Sequence, residues 1–207
     1  MAKITMPSYI KEGSGRMEDA VFAQCRGILY MKHYKKQKYA GTPKQEQVKT
    51  AFMSLVADWN SLSGIVRTSW AERCEGQHFN GYNAFIGANS PRRIKGEHLE
   101  LCPAMGEKPV LGFSAAAGMD AGSISCTFTP IPAGKHLSIF LRRDDVAYED
   151  EAATLIRHDF GADPVSPVTL PSLESGKSYT VYAVVTDAAY GDAKLISRSI
   201  AAAATAA

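Results

Sequence analysis

No apolar run in this sequence approaches the roughly 20 residues that a membrane-crossing helix needs. Met1 to Ile10 lack the apolar stretch of a secretion signal. Synthesis in the cytoplasm is therefore expected, with release by lysis or by a dedicated machine left open. The four cysteines, Cys25, Cys74, Cys102 and Cys126, include no Cys-x-x-Cys pair, and His33, His78, His98, His136 and His158 are equally dispersed. That scatter excludes a zinc site of ordinary spacing and predicts reduced, mostly buried thiols. No metal or cofactor is expected. Gly-x-Ser-x-Gly, His-Glu-x-x-His and P-loop motifs are missing too, and Gly112, Gly118 and Gly122 lack the strand-then-helix setting of a phosphate loop. No internal repeat is visible. An enzyme is not expected.

What is present is ordinary for a globular chain: 207 residues, 45% hydrophobic and 21% charged. That length suits two small domains or one large one. A net charge of +2 conceals an asymmetry. Residues 1–107 hold 15 lysines and arginines against 10 carboxylates, whereas 108–207 hold 8 against 11. The excess peaks at Arg26, Lys32, Lys35, Lys36, Lys38, Lys44 and Lys49, which face only Glu46. These seven are the candidate contacts for a protein partner or for nucleic acid.

Residues 1–19, with Gly13-Ser-Gly15, read as an extended arm. Val21–Cys25 and Ile28–Lys32 flank Arg26-Gly27, a pattern that predicts a β-hairpin. Thr42-Pro43 is a helix start, with Thr as N-cap and Pro in the first turn. Val48, Phe52, Leu55, Val56 and Trp59 then mark one buried face. Ser63 is expected to cap a second helix carrying Ile65, Val66, Trp70 and Cys74, which Gly76 ends. A short third helix is expected over 82–86, stopped by Ser90-Pro91. Trp59, Trp70, Phe52 and Phe85 would be the largest members of that core. The expected domains are thus an arm over 1–19, a hairpin and helical domain over 20–90, a linker over 91–108, a β-sandwich over 109–200 and a flexible tail over 201–207. The class is α+β.

The second half alternates with period two. Ile124, Cys126 and Phe128 face one way, and Leu137, Ile139 and Leu141 repeat the pattern. Val110–Ala115, Val168–Leu170 and Leu195–Ile200 bring the count to about six strands, at sandwich spacing. Leu173, Gly176 and Tyr179, followed by Val181, Ala183 and Val185, predict a tyrosine corner whose hydroxyl bonds back to the preceding loop.

On this corner and on Ser123–Pro130, the segment 109–200 resembles a fibronectin type III domain. Phe128 stands where that family usually places a buried tryptophan. The resemblance implies an interaction module with no inherited catalytic residues. In the N-terminal half, Gly15-Arg16, Thr42-Pro43…Gln47, Trp59–Ser63…Trp70 and Gly81–Phe85 with Asn89 form a second pattern. On these residues that half looks like bacterial proteins of mobile elements and prophage regions. Together these likenesses imply a small structural subunit of a phage-like or filamentous assembly. Trp59, Leu62, Arg67, Trp70 and Arg73 also echo part of an HMG box, whose long third helix Gly76 and Gly81 would interrupt.

Three further patterns remain. Lys32–Tyr39 interleaves cations with aromatics, as single-strand nucleic-acid surfaces do, and as protective sheet edges also do. Asp144-Asp145 with Glu149-Asp150-Glu151 has no EF-hand spacing and reads as solvated charge. Tyr148 and Tyr190 are the aromatics through which sandwich loops would stack on carbohydrate.

Overall fold

The computed structural model describes residues 2–3, 15–25, 28–35, 41–145, 155–188 and 193–207. The chain forms two compact units, Met1–Thr42 and Pro43–Ala207.

The first unit is an antiparallel sheet of β1 (Ala2–Lys3), β2 (Gly15–Met17), β3 (Ala20–Cys25) and β4 (Ile28–His33), in the order β1-β4-β3-β2. The expected hairpin is its centre, paired from Ala20↔His33 to Cys25↔Ile28. Its Arg26-Gly27 turn lies outside the described residues. Ala2–Lys3 and Gly15–Met17 are strands rather than parts of an extended arm, because each pairs with one edge of the hairpin.

The second unit opens with α1 (Pro43–Ser61), α2 (Gly64–Arg73) and α3 (Gly81–Lys95). Ser63 holds the N-cap position of α2 by backbone geometry, yet its side chain makes no capping bond. Asn80 does cap α3, its side chain accepting from the Asn83 amide at 2.9 Å. Helix α3 runs through Pro91 to Lys95 and ends at Gly96 in a left-handed conformation. The expected stop at Ser90-Pro91 is thereby overturned. One missing N–H is outweighed by the apolar contacts of α3 against α1 and α2.

Seven strands follow: β5 (Ser114–Ala117), β6 (Ile124–Thr127), β7 (His136–Arg143), β8 (Ile156–Ala162), β9 (Val168–Leu170), β10 (Ser178–Thr186) and β11 (Ile200–Thr205). They form sheets ordered β5-β6-β9 and β11-β10-β7-β8. The inward residues of both sheets share one core, built from Ile124, Cys126, Phe128, Leu137, Ile139, Leu141, Leu170, Val181 and Val185. This is the predicted sandwich.

The other face of the four-stranded sheet is buried as well. Phe140, Tyr182 and Val184 point away from the sandwich and pack with Leu55, Leu62, Val66, Trp70 and Phe85 of the helices. The helices therefore belong with the sandwich and not with the hairpin. Residues 91–108, expected as a linker, complete α3 and then bury Leu99, Leu101 and Cys102 in the same core. Asn89 ties this segment down: its side-chain oxygen accepts from the Glu100 amide at 2.7 Å, and its amide donates to the Glu100 carbonyl at 3.1 Å.

The C-terminal residues are a strand, not a flexible tail. Ile200–Thr205 pairs with β10 over six residue pairs, and Ala206 is buried in the sandwich core. The strand expected over Leu195–Ile200 is shifted: Leu195 and Ser197 make only isolated bridges.

Candidate interaction surfaces

In the N-terminal sheet, direct cross-strand pairs put Arg16, Val21, Ala23, Tyr30 and Lys32 on one face, and Ala20, Phe22, Met31 and His33 on the other. Both faces thus carry large apolar side chains. Val21, Phe22, Ala23, Tyr30 and Met31 are half-buried, and none of the described side chains of this unit is fully buried. The Arg16 guanidinium lies 3.7 Å from the centre of the Tyr34 ring and donates to the Glu18 carbonyl at 2.7 Å. The outer strands are short. β1 meets only Tyr30 and Met31, and β2 only Ala20 to Phe22. Among the described strands, the remaining outer edges of β3 and β4 have no partner.

The seven candidate cations do not form one described cluster. Arg26, Lys36 and Lys38 lie outside the described residues. Lys32 and Lys35 are exposed on the N-terminal unit. Lys44 and Lys49 are exposed on α1, where Lys49 stands 3.9 Å from Glu46.

In the second unit Trp59, Trp70 and Phe85 meet, whereas Phe52, expected with them, is exposed. Phe85 has its ring centre 5.4 Å from Trp59 and 5.6 Å from Trp70, and the Trp70 indole donates to the Leu101 carbonyl at 2.8 Å. The tyrosine corner is closed: the Tyr179 hydroxyl accepts from the Glu174 amide at 3.1 Å. Leu173 packs against the sandwich core beside it, and its amide donates to the Gly122 carbonyl at 2.8 Å. Phe128 is buried in that core. The expected face of α1 is only half covered. Leu55 is fully buried, whereas Val48 is 53% and Phe52 47% exposed, with Met53 exposed beside them.

Sequence reasoning missed the charge at the junction of helices and sheet. Asp58, 1% exposed, binds Arg93 of α3 and Arg142 of β7, the latter at 2.6 Å. One buried carboxylate thus joins α1 to α3 and to the sheet. Its available signal was an aspartate at i+3 from Leu55 and four before Leu62, on the apolar stripe itself.

The acidic cluster is spent on neighbours. Thr180 donates to Asp144 at 2.6 Å. Hydrogen bonds from Arg143 and then Lys177 hold the Asp145 carboxyl well below the usual carboxylate range. Glu149, Asp150 and Glu151 lie outside the described residues, as do Tyr148 and Tyr190. Among the described residues no three His, Cys, Asp or Glu side chains gather in metal-binding geometry. Burial pushes the Cys126 thiol up to about 12 and raises Cys102 further, with the Glu100 charge as a second cause. Cys74, Cys102 and Cys126 are buried and free. No described helix is long and apolar enough to cross a membrane.

The class defined by these elements is an α+β protein whose β-sandwich is covered on one sheet by a three-helix layer. Solved structures similar to it include fibronectin type III domains, over just under half of the chain. The chain is similar to the FN5 domain of Drosophila Lar (13% identity, 48% of this chain, 97% of that one, TM-score 0.32). It is likewise similar to an Fn3-like protein from Clostridium thermocellum (14% identity, 47% and 91%, TM-score 0.31). A third is the third fibronectin III domain of human KIAA0343 protein (12% identity, 47% and 81%, TM-score 0.36). No protein-family model and no curated protein matches the chain, so the likeness of its N-terminal half to mobile-element proteins has no match behind it.

Proposed function

We propose that this chain is a non-enzymatic structural subunit of a phage-like or filamentous bacterial assembly. The N-terminal sheet docks or self-associates, and the sandwich with its helical layer is the interaction module it carries. One observation supports this reading above the rest: a four-stranded sheet with apolar residues on both faces and, among its described residues, no fully buried side chain. Such a sheet gains most of its stability from whatever covers it. Its short outer strands also leave backbone donors and acceptors available for strand addition by a neighbouring chain.

Light scattering of the full-length protein at low and high salt tests the proposal. Particles larger than a monomer that persist in high salt are the expected result. A monodisperse monomer at every concentration sinks it. The alternative, nucleic-acid binding through residues 26–49, rests on exposed Lys32, Lys35, Lys44 and Lys49. It predicts a monomer that co-purifies with nucleic acid and releases it steeply as salt rises.

A further inference from the structure

Helices α2 and α3 leave a groove of about 500 Å³ that no described residue fills. Trp70 and Arg73 line it from α2, Ala84 and Gly87 from α3, with Phe79 from the connection and Ala104 opposite. Gly87 is the informative residue. It sits in the interior of α3, outside the left-handed region, and a Cβ built there meets no atom beyond its own stretch of helix within 4 Å. Gly81, at the start of the same helix, is the contrast. A Cβ there would stand 2.8 Å from the Ala71 amide nitrogen, so the close crossing of α2 and α3 needs that glycine. Glycine is a poor helix former in a helix interior, and no packed neighbour requires it at position 87. The remaining internal reason is Pro91, whose ring abuts the carbonyl four residues earlier.

The groove's chemistry is one-sided. Its walls are mainly apolar and aromatic, with Asn83 among them, and Phe79 is 49% exposed at the rim. Arg73 is exposed and pairs with no carboxylate among the described residues. Glu100, which also lines the groove, is already taken by Arg92 at 3.5 Å and Arg198 at 3.0 Å. The volume lies within the range of small-molecule sites, roughly 300–1,000 Å³. The geometry points to a binding site for a small amphipathic monoanion, an aromatic or medium-chain carboxylate. Its apolar part lies over Gly87 between Trp70 and Phe79, and its head pairs with Arg73.

The test titrates the full-length protein with anilinonaphthalene sulfonate, and in parallel with neutral phenylnaphthylamine, following fluorescence. Saturable binding of both probes is expected. Gly87→Leu fills the groove and weakens both by at least about tenfold, while Arg73→Gln weakens only the sulfonate, by about tenfold. Ala104→Leu closes the groove from the other side and replaces Gly87→Leu if that variant does not fold. Gly87→Ala separates the ligand role from the Pro91 role: an unchanged or raised Tm is expected. A lowered Tm assigns the glycine to the proline and overturns the argument. So does the lack of saturable binding, or an Arg73→Gln effect that is equal on both probes, or capture of acidic peptides with no affinity for small anions.

Discussion

At the scale of single residues, Asp58 carries the largest electrostatic consequence. Its carboxylate is almost fully buried, and its two partners, Arg93 and Arg142, keep 29% and 13% side-chain exposure. Replacing it removes the buried anion that two partly desolvated guanidinium groups share. Breaking such a pair from one side costs about 3–5 kcal/mol, because the surviving charge stays buried. Asp58→Ala is therefore expected to lower unfolding stability by about 3 kcal/mol in urea titration, with far-UV dichroism as the probe. Tyr179→Phe removes only the bond from the Glu174 amide and keeps the ring's packing. Its expected cost is about 1 kcal/mol, and a loss as large as that of Asp58→Ala would show that the corner does more than satisfy one amide. The two residues also differ in legibility. Tyr179 was readable because a corner needs a turn glycine, an aromatic ring and an alternating strand at fixed spacing. Asp58 was not, because its partners lie 35 and 84 residues away and no local pattern encodes them.

At the scale of elements, periodicity was read correctly where the packing covers the whole apolar face. Helix α2 and strands β6, β7 and β10 are cases of this kind. It failed where the packing covers only part of a face or where a buried face is polar. Val48 and Phe52 keep the helical spacing of Leu55 yet lie exposed, since the cover over Leu55 does not extend along the first turns of α1. Strand β8, Ile156-Arg-His-Asp-Phe-Gly-Ala162, was missed because its helix-side residues, Arg157 and Asp159, are polar and break the apolar alternation. Ser138 donates to Asp159, and the Arg157 guanidinium reaches the same carboxylate at 3.0 Å. The alanine-rich C-terminus misled in the opposite direction. Alanine has weak β-propensity, but tertiary pairing with β10 overrides it. Four backbone bonds then fasten its end: Ala206 donates to Lys177 at 2.9 Å and accepts from Gly176 at 3.0 Å, while Ala207 accepts from Gly122 at 2.7 Å and donates to Ser123 at 3.1 Å. Each such bond nets about 1 kcal/mol, against a total stability of about 5–15 kcal/mol for a domain. Removing residues 201–207 is thus expected to abolish the cooperative unfolding transition, whereas a frayed tail would leave the urea midpoint unchanged.

At the scale of the whole chain, the two units differ in how their apolar surface is disposed. Residues 43–207 bury two clusters, one on each face of the sheet built on β7 and β10, and so possess what independent folding requires. Residues 1–42 have a sheet and, among their described residues, no buried core. A unit of that length seldom supports itself without help from a disulfide, a metal or a partner surface. Residues 43–207 expressed alone are accordingly expected to unfold cooperatively and to remain monomeric. Phe22→Asp in the full chain places a charge on the apolar face that carries Met31 and is expected to reduce any assembly to monomers. That variant should leave the unfolding of the second unit unchanged, since Phe22 lies in the other unit. Assembly that survives Phe22→Asp would move the contact to the opposite face, where Val21 and Tyr30 lie, or to the open edges of β3 and β4. Assembly by residues 43–207 alone would remove the N-terminal sheet from the proposal and make the exposed Val48, Phe52 and Met53 of α1 the surface to change next.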